Sequence, residues 1–186
     1  NVENASYGDQ NVIHFREAGS CIIPFFREPA KDNLPDLFTV EFDCWFEPDE
    51  YCQYYVDFWA HNNQSQSTIS IDLLITTAGI NDVGEGYYPG YEEKGEITSG
   101  YWRHVAISFN TRALKVYLDD ARVVNIPNLG INPEGLTICC DPMNTVGSQG
   151  NNRFIKNIRI AEGAVRLYDK LMQDGRIIAN GIRFDV

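Results

Sequence analysis

Apolar and polar residues alternate with period two through nearly every well-patterned stretch of the chain. In residues 101–120, Val105, Ile107 and Phe109 share one face of a first run, and Leu114, Val116 and Leu118 share one face of a second. Residues 110–113 between them are short and polar enough for a hairpin turn. Residues 38–46 alternate as cleanly: Phe38, Val40, Phe42, Cys44 and Phe46 fall on one side, Thr39, Glu41, Asp43 and Trp45 on the other. Further strands are predicted at 11–15, 20–25, 53–59, 68–75, 121–126, 136–140 and 154–160, and Ile69, Ile71, Leu73 and Ile75 mark the inward side of 68–75. Segment 76–99, rich in Gly, Tyr and Glu, has weak periodicity and reads as a large surface feature containing one strand. Only 164–174 has a helical pattern. Many short strands with turns between them define a β-sandwich rather than a βαβ fold. Phe42, Val105, Ile107, Val116, Leu118, Ile138 and Ile158 are the expected core between its sheets.

Composition narrows this picture. A chain of 186 residues that is 44% hydrophobic fits one domain with a self-sufficient core. Fifteen Lys and Arg against 26 Asp and Glu leave a net charge of -11, an acidic surface that repels nucleic acid and anionic headgroups. Cations, neutral sugars and basic protein faces remain as partners. No stretch approaches the ~20 apolar residues of a membrane-spanning helix, and the sequence opens on Asn1, as a mature or trimmed fragment would.

The hairpin carries a resemblance. Trp102, His104, Val105, Ala106, Asn110, Leu114, Tyr117 and Asp119 follow the W-x-H-V-A…L-x-x-Y-x-D-G pattern of laminin-G-like and pentraxin-like domains, with Asp120 in place of the usual Gly. Residues 38–46 resemble the F-(T/S)-(V/I)-E-x-W strand of the same families, and 155–171 resemble their final strand and turn. The resemblance spans residues 36–171 and implies an all-β, two-sheet antiparallel jelly-roll sandwich of the concanavalin A-like, laminin-G-like type, filling residues 1–175. Residues 176–186 then form a linker or the start of a truncated domain. Gly181, Ile182, Arg183, Phe184, Asp185 and Val186 resemble the opening G-I-x-F-(D/N) strand of outer-membrane-protein-A-like, peptidoglycan-binding domains. That likeness implies a bacterial cell-envelope protein, periplasmic or outer-membrane-associated, reaching peptidoglycan through a further domain.

Candidate chemistry is sparse. His14, His61 and His104 are the only histidines, and no G-x-S-x-G accompanies them. Glu41 and Asp43 share a strand face, as the paired carboxylates of jelly-roll glycosidases do, but Glu47 falls one position too far along and precedes Pro48. A solvated strand face accounts for them without catalysis. Calcium, commonly bound at the rim of laminin-G-like domains, needs six to eight hard oxygens; Asp141, Asn144, Asn151 and Asn152 are the first candidates and Asp82 with Glu85 the second. Tyr87, Tyr88 and Tyr91 in the Gly-rich segment are candidate ligand contacts, because exposed rings present large area at small entropic cost. The five cysteines, Cys21, Cys44, Cys52, Cys139 and Cys140, are too irregular for a disulfide scaffold. They are expected as buried thiols, with a Cys44–Cys52 bridge as the alternative. Together these features predict a noncatalytic module recognising a glycan or an envelope protein. A glycan hydrolase or lyase on the same fold, and a structural spacer, are the competing readings.

Overall fold

The computed structural model describes residues 1–17, 19–24, 33–46, 54–59, 69–76, 79–83, 100–119, 121–140 and 153–163, with 69–76 and 79–83 described for their backbone. Twelve strands build it: β1 (Val2–Tyr7), β2 (Gln10–Phe15), β3 (Cys21–Ile22), β4 (Leu37–Phe46), β5 (Tyr54–Trp59), β6 (Ile69–Thr76), β7 (Gly79–Val83), β8 (Tyr101–Asn110), β9 (Leu114–Leu118), β10 (Ala121–Ile126), β11 (Gly135–Cys140) and β12 (Phe154–Glu162). They form a seven-stranded sheet in the order β1-β2-β12-β4-β8-β9-β10 and a five-stranded sheet in the order β3-β11-β5-β6-β7. Every pairing is antiparallel. This is the two-sheet sandwich of concanavalin A-like jelly-roll topology that the alternation and the resemblance predict.

The alternating positions fill the core. Phe38, Val40, Phe42, Cys44 and Phe46 of β4 lie beside Val105, Ile107 and Phe109 of β8 and Leu114, Val116 and Leu118 of β9 on the inner face of one sheet, all fully buried. Tyr54, Val56 and Phe58 with Leu136 and Ile138 close over them from the other sheet. Each such side chain contributes about 1.5–3 kcal/mol by leaving water. The β8–β9 turn falls where the pattern places it. Thr111 takes φ 67°, and the Asn110 side-chain oxygen accepts the Ala113 N–H at 2.7 Å, an Asx-type closure.

Three expectations need correction. Strand β1 was not legible, because Val2–Tyr7 is exposed or half-buried throughout and so carries no strong alternation. Ile158 is half-buried rather than core, because β12 contains a bulge: it advances from Lys156 to Arg159 while β4 advances from Asp43 to Glu41. The extra residue breaks the inward register. Cys21 and Cys139 are joined in a disulfide rather than held as buried thiols. They are register partners of β3 and β11, so pairing of the strands brings the two sulfurs together. Cys139 and Cys140 do point to opposite sides: Cys140 is a buried thiol in the core. The Cys44 thiol is buried and 3.7 Å from the Arg103 carbonyl oxygen, and Cys52 lies outside the described residues. Among the described residues no helix is long and apolar enough to cross a membrane.

Candidate ligand-binding face

The side of β4 that turns away from the core divides in two. Thr39 and Glu41 are buried there, with Ala106 and Ser108 of β8 opposite them; Thr39 Oγ1 donates to the Gly163 carbonyl at 2.9 Å. At the other end Asp43 and Trp45 are half-buried and pair in register with His104 and Trp102. Cross-strand register therefore sets an indole pair beside a carboxylate–imidazole pair.

The aromatic row draws on four strands, β8, β4, β12 and β1. Trp45 meets Trp102 edge-on at 5.3 Å and Tyr7 at 5.0 Å, and Tyr7 continues to Phe154 at 4.6 Å between centroids. Gly100 makes room for it. A Cβ on that residue would stand 2.3 Å from Trp45 Cζ2, so only glycine lets the indole lie against the backbone. Beneath the row the buried Tyr54 hydroxyl reaches from the opposite sheet to the Trp45 carbonyl at 2.8 Å and the Phe154 carbonyl at 3.2 Å. Lys156 Nζ lies 3.8 Å from the Trp102 centroid, a cation–π contact, and donates to Gln10 Oε1.

The polar row is fully cross-linked. His104 Nδ1 and Asp43 Oδ1 are 2.7 Å apart, and Asn157 Nδ2 donates to Asp43 Oδ2 at 2.7 Å. Asn157 reaches that oxygen because it is the bulged residue, at φ 55°; Asn tolerates this left-handed conformation better than most residues. Burial pushes the Asp43 carboxyl up, but the hydrogen bonds from His104 and Asn157 and the charges of His104 and Lys156 together hold it below the usual carboxylate range. The bond to Asp43 raises His104; burial opposes this, and the charges of Asp43, Glu41 and Asp119 reinforce it. Asp119, at φ 53°, anchors the strand behind the imidazole. Its N–H donates to the His104 carbonyl at 2.7 Å, and its Oδ1 accepts the His104 N–H at 3.1 Å. Its Oδ2 accepts from the buried Arg103 Nη2 at 3.1 Å. With Nδ1 engaged, the 36% exposed His104 ring offers Nε2 to a ligand.

The candidates chosen from sequence fare differently. Tyr87, Tyr88, Tyr91, Asp141, Asn144, Asn151, Asn152, Glu85, Glu47 and His61 lie outside the described residues, and Asp82 lies in β7, described for its backbone. Glu41 and Asp43 do share a face, Glu41 buried and Asp43 bonded to His104. His14 sits 3.5 Å from Glu3 and 4.8 Å from the Phe154 ring, a packed position. Among the described residues no three His, Cys, Asp or Glu side chains gather to hold a metal. Sequence reasoning passed over Trp45, Trp102, Tyr7, Lys156 and Asn157. A signal was present: Trp45 and Trp102 occupy outward positions of two strands whose inward sides are already filled with aromatic and branched residues.

No family model matches the chain, and no curated protein sequence matches it. Solved structures do. Sheep galectin-11, in complex with glycerol, superposes with a TM-score of 0.50 at 9% identity over 77% of this chain and 98% of the galectin. A sialidase gives 0.49 at 13% identity over 87% of this chain, which spans only 16% of the sialidase. The carbohydrate binding module CBM66 from Bacillus subtilis gives 0.47 at 11% identity over 86% of this chain and 91% of the module. At 9% identity the likeness to the galectin shows the fold alone, an all-β concanavalin A-like sandwich.

Proposed function

We propose that this domain is a noncatalytic recognition module that binds carbohydrate on the outward face of its seven-stranded sheet. The carrying observation is the juxtaposition of the half-buried Trp45–Trp102 pair with the His104–Asp43–Asn157 row. Sugars present apolar C–H faces that pack on aromatic rings and hydroxyls that need fixed donors and acceptors, and pockets of this kind combine apolar area with a few placed polar groups. Each Asp43 carboxylate oxygen already has a partner, His104 on one and Asn157 on the other, so we read its role as holding His104 rather than attacking a substrate. This favours binding over hydrolysis, for which most glycosidases place two carboxylates across the scissile bond.

The Cys21–Cys139 disulfide supports an oxidising compartment. Together with the likeness of residues 181–186 to an envelope domain, it supports reading the module as part of a bacterial cell-envelope protein that faces glycan or a neighbouring protein and reaches peptidoglycan through a further domain. Calcium held by residues among 141–152 belongs to the same reading and is tested by the same experiment. Wild type, Trp102→Ala and His104→Ala are applied to an array of neutral and acidic glycans with calcium and with a chelator. The reading expects neutral glycans bound by wild type and lost at least tenfold by both variants. Wild-type binding that both variants retain would move the site elsewhere, and release of reducing sugar would make the protein an enzyme.

A further inference from the structure

Among the described residues the two sheets end in β1, β10, β3 and β7, and three of these four edges are blunted. An open edge presents unpaired N–H and C=O groups to any extended chain, and folds protect it with bulges, charge or brevity. Strand β3 is two residues long. Strand β7 carries an extra residue opposite β6 between Asn81 and Val83, and β10 one opposite β9 between Arg122 and Val124. Strand β1 has none of these devices. It pairs with β2 in unbroken register from Val2 to Tyr7, contains no Pro, Lys or Arg, and has no strand on its other side among the described residues.

The hydrogen bonds of the first hairpin show which groups β1 leaves over. The Arg16 N–H donates to the Asn1 carbonyl at 3.0 Å, whereas the Phe15 N–H turns the other way, to the Arg153 carbonyl at 2.9 Å. Antiparallel bonding alternates along a strand. Glu3, Ala5 and Tyr7 therefore direct their backbone groups at β2, and Val2, Asn4 and Ser6 direct theirs out of the sheet.

We propose that β1 joins two copies of this chain, antiparallel, about a two-fold axis at Asn4. Pairing Asn4 with Asn4 of the second copy, and Val2 with Ser6 of the second copy, uses every outward donor and acceptor of these residues. Even positions meet even positions, so core-side residues stay on the core side and the two sheets become one. The side chains suit this register. Glu3 stands opposite Ala5 of the second copy and keeps Arg16, 3.3 Å away, as its own counter-charge. At the axis two Asn4 amides meet, each with donors and an acceptor. A basic peptide suits the edge less well, because the one carboxylate of β1 is already held by Arg16. The axis is perpendicular to the sheet, so both outward faces, with their Trp45–Trp102 pairs, look the same way. The dimer stands apart from the carbohydrate reading; combined with it, the dimer makes the module bivalent toward a glycan-bearing surface.

The test is sedimentation equilibrium of the whole chain from about 1 µM to about 1 mM, for wild type, Asn4→Lys, Asn4→Glu and Asn4→Pro. Asn4 is exposed, and a thermal melt checks that each variant is folded. Asn4→Lys and Asn4→Glu each set like charges face to face across the axis and should weaken the dimer about three- to fivefold. An equimolar mixture of the two should restore it as a heterodimer. Asn4→Pro, which an edge strand accepts where the N–H points outward, removes the bonds at the axis and should leave a monomer. Because each copy carries a net charge of -11, wild-type association should strengthen as salt rises from about 0.05 M to about 0.5 M. A wild type that is monomeric at every concentration, a dimer that Asn4→Pro or both charge variants retain, or a mixture no stronger than its components overturns the proposal. Capture of an extended basic peptide by a monomeric wild type would assign the edge to another partner and overturn it too.

Discussion

The Cys21–Cys139 disulfide should be the largest single covalent contribution to stability. The chain passes from β2 in one sheet to β3 in the other between Phe15 and Cys21, and β3 is held to β11 by only two residue pairs. A short ladder of this kind gives little on its own. The bridge closes a loop of 118 residues, for which the chain-entropy relation gives roughly 5 kcal/mol of destabilisation of the unfolded state at 25 °C. Native disulfides measured by removal give about 2–5 kcal/mol, against a typical total of 5–15 kcal/mol. Expected, then, is a loss of about 3–5 kcal/mol in a Cys21→Ser/Cys139→Ser variant, read from urea unfolding followed by tryptophan fluorescence. The mechanism makes a second demand. Because the bridge acts on the unfolded chain, its removal should expand that ensemble and increase m as well as lower the midpoint. A midpoint shift worth less than about 1 kcal/mol, or alkylation of either cysteine in the oxidised native protein, would refute the reasoning. Cys140 supplies an internal control: it is buried against the Glu17 carbonyl at 3.1 Å and should label only on unfolding.

Truncating Ile107 or Phe42 to Ala, both fully buried, should cost about 2–5 kcal/mol through lost transfer energy and a cavity, measured as a fall in urea midpoint at constant m. Gly100→Ala should destabilise by about 1–3 kcal/mol of overpacking, because Trp45 must leave its place, and should shift tryptophan emission; an unchanged spectrum would mean that the indole does not lie on that backbone. Stability should also follow pH through Asp43 and His104. His104 is raised, so its contribution is full below its unfolded pKa of about 6.5 and fades as pH climbs through the raised value. Asp43 is lowered, so its contribution is present above about pH 4 and is lost as pH falls through the depressed value. The pair therefore supports the fold most between about pH 4 and 6.5, and thermal melts of His104→Gln should decline less than wild type from pH 6 to 9.

How much of this the sequence displays depends on what each feature rests on. Strands β4 and β9 announce themselves because one side of each is wholly apolar, and β8 because only Arg103 interrupts its inward side, so period two is visible within a single run. Strand β1 is not visible, since neither of its sides is buried. The disulfide escapes because the cysteines that meet are 118 positions apart and their spacing follows no motif. The site is hidden for a related reason. Alternation shows that Asp43 and Trp45 share a side, and separately that Trp102 and His104 do; the pairing of Asp43 with His104 and of Trp45 with Trp102 exists only once β4 and β8 are in register. Asn157 joins them from a one-residue bulge 114 positions beyond Asp43, which periodicity cannot register.

That bulge links the fold to the proposed function. A regular β12 would continue its ladder with β2, and Asn157 would occupy an ordinary strand position. The extra residue does two things at once. It puts the Asn157 amide on Asp43, completing the row that fixes His104, and the ladder between β12 and β2 ends after two residue pairs. The cost is a non-glycine residue at positive φ, on the order of 1–3 kcal/mol for a typical residue and less for asparagine, and an interrupted ladder. On the outward face Asp43 meets His104 and Lys156 lies on an indole. A surface whose own charges are already paired discriminates by shape and hydroxyl geometry, while the overall negative charge acts at longer range against polyanions. Local pairing and global repulsion thus point to the same ligand class, an uncharged glycan packed on the tryptophans.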